Sequence, residues 1–389
     1  MAFSTLWGPQ QKGLILDGCA GPGGWSWGIL NYLRLRDLGI EWDDAAVATR
    51  KAARLATRKA DVSTFDLRPF LGRVWGLLFS PPCTLFSEAG TRIGRLVLDV
   101  LAEGIRRVMR GEDCREEIRE RVFPVALAAQ EKRDAGKPAE KRRSREQLEA
   151  AAREDAFIAC LVLEPARYLH ALLSVEDPEV PFEWAALEQV PAALPLWEVY
   201  AQELRRLGWS VWTGVLCTAD YGVPQERYRA VLLASAVRAV SAPEPTHSQH
   251  GGGEDLFGGF RAPWPTMAGC IGWGFTDRPA PTVTAGGAKS GGVEPFARGA
   301  REALKAALVS GKHWAWKPGV PRTYSPSAIS IDAVESGLLQ TFPRNFPWHG
   351  PKGKAQEQSG NAVPPLFAAH VVSAASGVPF LQQALTRAA

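Results

Sequence analysis

The chain has 389 residues, 46% of them apolar and 22% charged, with a formal net charge of +4. That balance excludes a disordered or fibrous protein, and it is basic enough to permit a polyanionic partner without demanding one. No apolar stretch suggests a bilayer span and the opening MAFSTLWGPQQKG lacks the layout of a secretory signal, so a cytoplasmic protein with no membrane partner is expected. The six cysteines, at 19, 83, 114, 160, 217 and 270, include no CxxC pair, which argues against a metal centre and against a disulfide framework.

Residues 13–17 read as a short strand, followed by a glycine-rich turn and a helix from Trp25, the opening unit of a doubly wound α/β sheet. Residues 33–40 take the place of the second strand by their position in the series, although Arg34, Arg36 and Asp37 interrupt their apolar pattern. The run 74–79 is a third strand, stopped by Pro81 and Pro82. A long charged stretch, 92–155, carries Lys141, Arg142, Arg143 and Arg145. It reads as a solvated helical insertion or a flexible loop, with a DNA-binding arm as the alternative.

Strands at 183–190, 210–215 and 230–234, with a helix at 196–207, complete a mostly parallel sheet whose chemistry belongs at the carboxyl ends of the strands. From 241 to 292 the composition turns to Gly, Pro, Trp and His and marks a second, loop-rich domain. The expected division is a large domain of 1–238 with 356–389, and a small domain of 239–355.

The turn Asp17-Gly18-Cys19-Ala20-Gly21-Pro22-Gly23-Gly24 lets the backbone approach a ligand, but its spacing is not that of a dinucleotide site. Glu41, at the end of the second strand, suits ribose hydroxyls, and Trp42 offers a flat face to an adenine ring. Asp61 is placed to accept a hydrogen bond from the adenine amino group. Cys83 follows two prolines at a strand end, a position that projects a side chain into the expected cleft. With Glu188 and the array Gln225-x-Arg227-x-Arg229 it supplies a nucleophile, an acid and two cations, the set needed for addition to an electron-poor pyrimidine.

In order along the chain, the segments LILDGCAGPGG, IEWD, ADVSTFD, FSPPCTLFS, ALEQV, ADYGVPQERYR, RPAPTVTAGG, AVESGLLQTFPRNF and SGNAVPP resemble the bacterial and phage cytosine-C5 DNA methyltransferase family over most of its length. The resemblance implies a Rossmann-like fold with a small target-recognition domain, S-adenosyl-L-methionine as cofactor, and double-stranded DNA as partner. It further implies a monomer, with a restriction-modification or phage-protection role and a functional link to a restriction endonuclease as one setting.

Carried over residue by residue, the resemblance makes Cys83 the nucleophile at C6 of a flipped-out cytosine. Glu188 then holds N3 and N4, and Arg227 and Arg229 orient the target. Asp17, Cys19, Gly21, Gly23, Gly24, Glu41, Trp42, Asp61, Pro81, Asn361 and Val363 would form the cofactor site, and Thr84, Ser87, Gln225, Arg278 and Thr282 would meet the substrate. This sequence departs from the family at Cys19, where an aromatic residue is usual, at Thr84, where Gln is usual, and at Gln189, where Asn is usual.

Two other readings stay open. A tRNA cytosine-C5 methyltransferase shares the chemistry but carries a Cys-Phe-Thr signature absent here, and a DNA-binding homologue without catalysis would not need Cys83, Glu188, Arg227 and Arg229. The variable stretch 241–277, with a contribution from the residues after Gly286, is where the family reads its target. Trp264, Trp273, His247 and His250 within it read as packing residues rather than base contacts.

Overall fold

The computed structural model describes residues 10–87, 92–251, 260–274, 276–284, 293–294 and 329–381. The first half of the sheet is built from β1 (Leu14–Gly18), α1 (Gly24–Leu33), β2 (Asp37–Glu41), α2 (Asp44–Ala52), β3 (Thr57–Lys59) and β4 (Val74–Phe79). β4 is buried at every position, as expected of a parallel strand covered on both faces. The second strand is shorter than its sequence suggested. α1 runs through Leu33 and ends at Arg34, whose φ of 55° and N–H bond to the Ile29 carbonyl cap the helix, so the chain becomes extended only from Asp37.

The charged stretch is helical throughout most of its described length: α3 (Ile93–Leu96), α4 (Leu98–Met109), α5 (Arg115–Ala135) and α6 (Arg145–Cys160), leading into α7 (Glu164–Leu173). α5 and α6 form a hairpin whose tip is tied by the basic cluster itself. Arg143 bonds Asp134 and Gln130, Arg142 bonds the carbonyls of Lys137 and Ala135, and Arg145 pairs with Glu131 and Glu149. Ser144 and Gln147 close a reciprocal capping box at the start of α6. The run Arg145–Leu173 is long and apolar enough to cross a membrane, contrary to the sequence reading, but 67% of its apolar window is buried inside the protein, as in a core helix.

β5 (Trp184–Gln189), α8 (Leu194–Arg206), β6 (Ser210–Cys217), β7 (Gln225–Glu226) and β8 (Tyr228–Ser235) follow. The seven-stranded sheet has the order β3-β2-β1-β4-β5-β8-β6. The first five strands are parallel, and β8 runs antiparallel to both β5 and β6. Alternation along β1 divides the core: Leu16 faces the cluster covered by α4 to α8, while Ile15 faces Trp25, Ile29 and Phe367 on the other side.

In the loop-rich part, α9 (Met267–Ile271) and α10 (Ala333–Leu339) share a small core of their own with Trp273, Ala280, Val283 and Ile331. Ala280–Pro281 pairs with β7 in a separate two-stranded sheet, and β7 runs directly into β8 of the large sheet. Of the stretches expected to read the target, 252–259, 275 and 285–292 lie outside the described residues. α11 (Lys352–Asn361) and α12 (Pro365–Ser376) return the chain to the large sheet, where α12 packs on α1.

Candidate active site

A cavity of about 670 Å³ opens at the carboxyl ends of β1 to β5. Its cofactor end begins at the glycine turn. Gly23 has a φ of 103°, which an L side chain rarely adopts, and a Cβ on Gly24 would stand 2.1 Å from the Val363 carbonyl oxygen. Gly24 thus allows the C-terminal segment to close over the turn. Beneath the turn, Arg50 is fully buried, 3.9 Å from Asp17 and 3.6 Å from Asp37, and donates to the carbonyls of Ala20 and Ala56. Burial, then the neighbouring Asp37, pushes the Asp17 carboxyl well above the usual range.

Glu41 stands at the lip of β2 with both oxygens engaged: one accepts from the Gly21 amide at 2.7 Å, the other from the amides of Trp42 and Asp43. Burial raises its carboxyl, and the three amides oppose the shift. Three of its roughly four acceptor positions are thus used, and the oxygen facing Gly21 keeps one for a ligand hydroxyl. Trp42 is 56% exposed beside it, and Asp61, held by Ser63, lines the wall. Cys19 lines the same end, but burial, followed by Glu41, pushes its thiol well up.

At the other end, Cys83 is partly buried, and its carbonyl accepts from the amides of Phe86 and Ser87, which starts a helical turn directly after Pro82. Gln189 donates to the carbonyls of Pro81 and Pro82 and accepts from the Val190 amide, and so pins the loop carrying Cys83. Glu188 lines the cavity and is paired with Arg229 at 2.7 Å, both side chains being 8% exposed. Arg227, also in the wall, donates to the carbonyls of Val283, Gly360 and Ala362 and so locks the loop-rich part and the C-terminal segment to the sheet. Burial and then Arg229 pull its guanidinium down to about 9, which leaves it a cation at neutral pH. Its Nε is buried without a partner among the described residues.

Most of the sequence-derived set meets in this cleft: Cys19, Gly21, Gly24, Glu41, Trp42, Asp61, Pro81, Cys83, Thr84, Glu188, Arg227, Asn361 and Val363. The others stand behind or beside it. Asp17 lies under the turn and Gly23 packs on Leu55. Arg229 acts through Glu188, and Ser87 follows on the loop after Thr84. Gln225 is fully buried, bonding Leu339, Gln340 and Val283, so it ties these segments together and does not line the cavity. Arg278 is exposed in the loop-rich part, and Thr282 bonds the Glu226 carbonyl. Trp264 and Trp273 are tied to Asp220 and Glu335.

Sequence reasoning missed Arg50, Lys354 and the wall contributed by α6, namely Glu154, Phe157 and Ile158, with Leu161 just beyond it. The signal was present as the apolar run AFIACLVL that ends the charged stretch. Charge is the cleft's clearest chemical feature. Seven acids line it, Glu41, Asp43, Asp44, Asp61, Glu154, Glu188 and Glu357, against two cations, Arg227 and Lys354. Such a wall repels a pyrophosphate and favours a ligand with hydroxyls and positive charge. The ribose and sulfonium of S-adenosylmethionine meet that description.

No family model matches the sequence. A stretch of 195 residues, 44% of this chain, is 27% identical to the type II methyltransferase M1.HphI of Haemophilus parahaemolyticus, and the chain spans about half (50%) of that relative's length. Among solved structures, the Entamoeba histolytica methyltransferase EhMeth superposes with a TM-score of 0.51 at 12% identity, covering 95% of this chain and 99% of its own. A Spodoptera frugiperda DNMT2 mutant gives 0.50 at 12%, covering 94% and 99%. The fold is therefore the Rossmann-like, mostly parallel α/β fold of S-adenosylmethionine-dependent methyltransferases. Both of these structures are eukaryotic, so the bacterial or phage origin implied by the sequence resemblance gains no support from them.

Proposed function

We propose that this chain, which has the fold of S-adenosylmethionine-dependent methyltransferases, methylates C5 of a cytosine in a polynucleotide through a covalent bond from Cys83 to C6. The observation that carries the reading is the shared cleft: Cys83, Glu188 and Arg227 open into the same cavity as Glu41, Trp42 and Asp61. Glu41, Trp42, Asp61 and the turn at Gly21 would hold the cofactor's adenosine. When bound, S-adenosylmethionine supplies an electrophilic methyl group.

The chain's own groups do the rest. The Cys83 sulfur adds to C6 and pushes electron density onto C5 and N3, while Glu188, oriented by Arg229, hydrogen-bonds N3 and N4 and stabilises the charge that gathers there. Once C5 carries the methyl group, loss of the C5 proton restores the double bond and expels the Cys83 thiolate. Because C6 is shielded in a stacked duplex, the base must swing out, at a cost of a few kcal/mol that contacts in the cleft offset.

DNA is the polynucleotide this reading favours, on the order of motifs along the chain and on the partial likeness to a type II methyltransferase. The alternative, cytosine in tRNA, draws on the end-to-end likeness to a DNMT2 structure. The test is to incubate the protein with labelled S-adenosylmethionine and either duplex DNA or tRNA, then digest to nucleosides. 5-Methyldeoxycytidine, absent with Cys83→Ala, is the expected product. 5-Methylcytidine from tRNA alone would transfer the assignment to RNA, and no product from either would reject it.

A further inference from the structure

We propose that the helical insertion is a wall of the cofactor site, and that Phe157 on α6 binds the adenine of S-adenosylmethionine together with Trp42. The inference rests on the reading that the cleft takes that cofactor. α6 borders the cleft and contributes Glu154, Phe157 and Ile158 to its lining. The rings of Phe157 and Trp42 stand 6.4 Å apart with their planes at 36°. Arg119 covers Phe157 from elsewhere, its guanidinium carbon 5.1 Å from the ring centroid. The phenyl ring is thus held between a cation in the hairpin and an indole in the cleft.

Two features make this pair a ligand site and not only packing. Trp42 keeps 56% of its surface in water although Phe157 is beside it, so the contact leaves a large aromatic area uncovered inside a cavity. Cys19, which lines the same end of the cleft, offers only a small thiol, so Trp42 and Phe157 supply the broad aromatic area there. The spacing also decides how adenine fits. A ring sandwiched between two others needs about 7 Å, twice a contact of about 3.5 Å. At 6.4 Å and 36° the pair forms a corner that leaves no room for a ring stacked between the two, so adenine would have to meet both from the cleft side.

The insertion follows the cleft-lining Cys83 loop, and its last helix, α6, lines the cleft again before α7 leads to β5. Cofactor bound against Phe157 would then hold α6 in place, and amide exchange over residues 154–161 should slow when S-adenosylmethionine is added.

The experiment is calorimetric titration of S-adenosylmethionine into the full chain and three variants. Phe157→Ala should weaken binding about tenfold and Phe157→Leu, which keeps the helix packed, about threefold, the range expected for losing an aromatic contact. Phe123→Ala should stay within about twofold, because Phe123 lies under Arg153 in the hairpin and not in the cleft. Binding by both Phe157 variants within twofold of the wild type, or a Phe123→Ala loss as large as theirs, would overturn the proposal. A wild type that does not bind S-adenosylmethionine would overturn the cofactor reading beneath it.

Discussion

At the cofactor end of the cleft, Glu41, the glycine turn and the Arg50 cluster hold one another within residues 17–61, largely through backbone amides and carbonyls. At the reacting end, Cys83, Glu188, Arg227 and Arg229 arrive from three separate segments and are held by side chains: Gln189 on the Pro81 loop, Arg229 on Glu188, Arg227 on three carbonyls. The first end is preset as soon as its strands pair. The second exists only when the whole chain has closed, because Arg227 needs Val283, Gly360 and Ala362 in place. Damage to the first should therefore appear as lost stability or cofactor affinity, and damage to the second as lost turnover.

The largest effect on folding belongs to Arg50. Arg50→Met should cost about 3–5 kcal/mol in urea unfolding, since it leaves Asp17 and Asp37 buried without their cation. A loss below about 1 kcal/mol would mean that the two acids are already neutral and do not need it. Next is Arg229→Ala, which frees Glu188 to turn: kcat should fall about a hundredfold or more, with S-adenosylmethionine affinity unchanged. Parallel losses in affinity and kcat would erase the distinction between the two ends.

Glu41→Ala should do the reverse and weaken S-adenosylmethionine about tenfold or more, by removing a carboxylate acceptor, while leaving kcat at saturation near the wild type. The smallest effect is expected from replacing Lys141, Arg142, Arg143 and Arg145 together with Ala. Arg142, Arg143 and Arg145 are already engaged at the tip of the hairpin. A salt titration of DNA binding should give slopes parallel to the wild type, whereas each lost phosphate contact would lower the slope by about 0.9.

This contrast also explains what the sequence made legible. The β1 turn, Glu41 and the strand that delivers Cys83 were readable because each depends on a local pattern: an apolar run, a stop and a chemically apt residue. Gly24 reads as a cofactor residue, but the contact that forbids a side chain there is the Val363 carbonyl, which lies far along the chain. Gln225 reads as a substrate residue but is bonded inside the core, since polarity alone does not say whether an amide faces a cavity or the core. Phe157 was invisible because helical periodicity shows that a face is apolar without showing which cleft it borders. The strand at 33–40 began late because the left-handed cap at Arg34 is not written in hydrophobicity.

The central claim is the covalent bond from Cys83, and the most direct test is to trap it. Duplex DNA, or tRNA, with 5-fluorocytosine at the target position cannot lose its C5 substituent as a proton. Incubation with the protein and S-adenosylmethionine should therefore leave an adduct that survives denaturant, maps by mass spectrometry to the peptide containing Cys83, and is absent with Cys83→Ser. Methylation of ordinary cytosine without any adduct on the fluorinated substrate, or an adduct on another cysteine, would contradict the account.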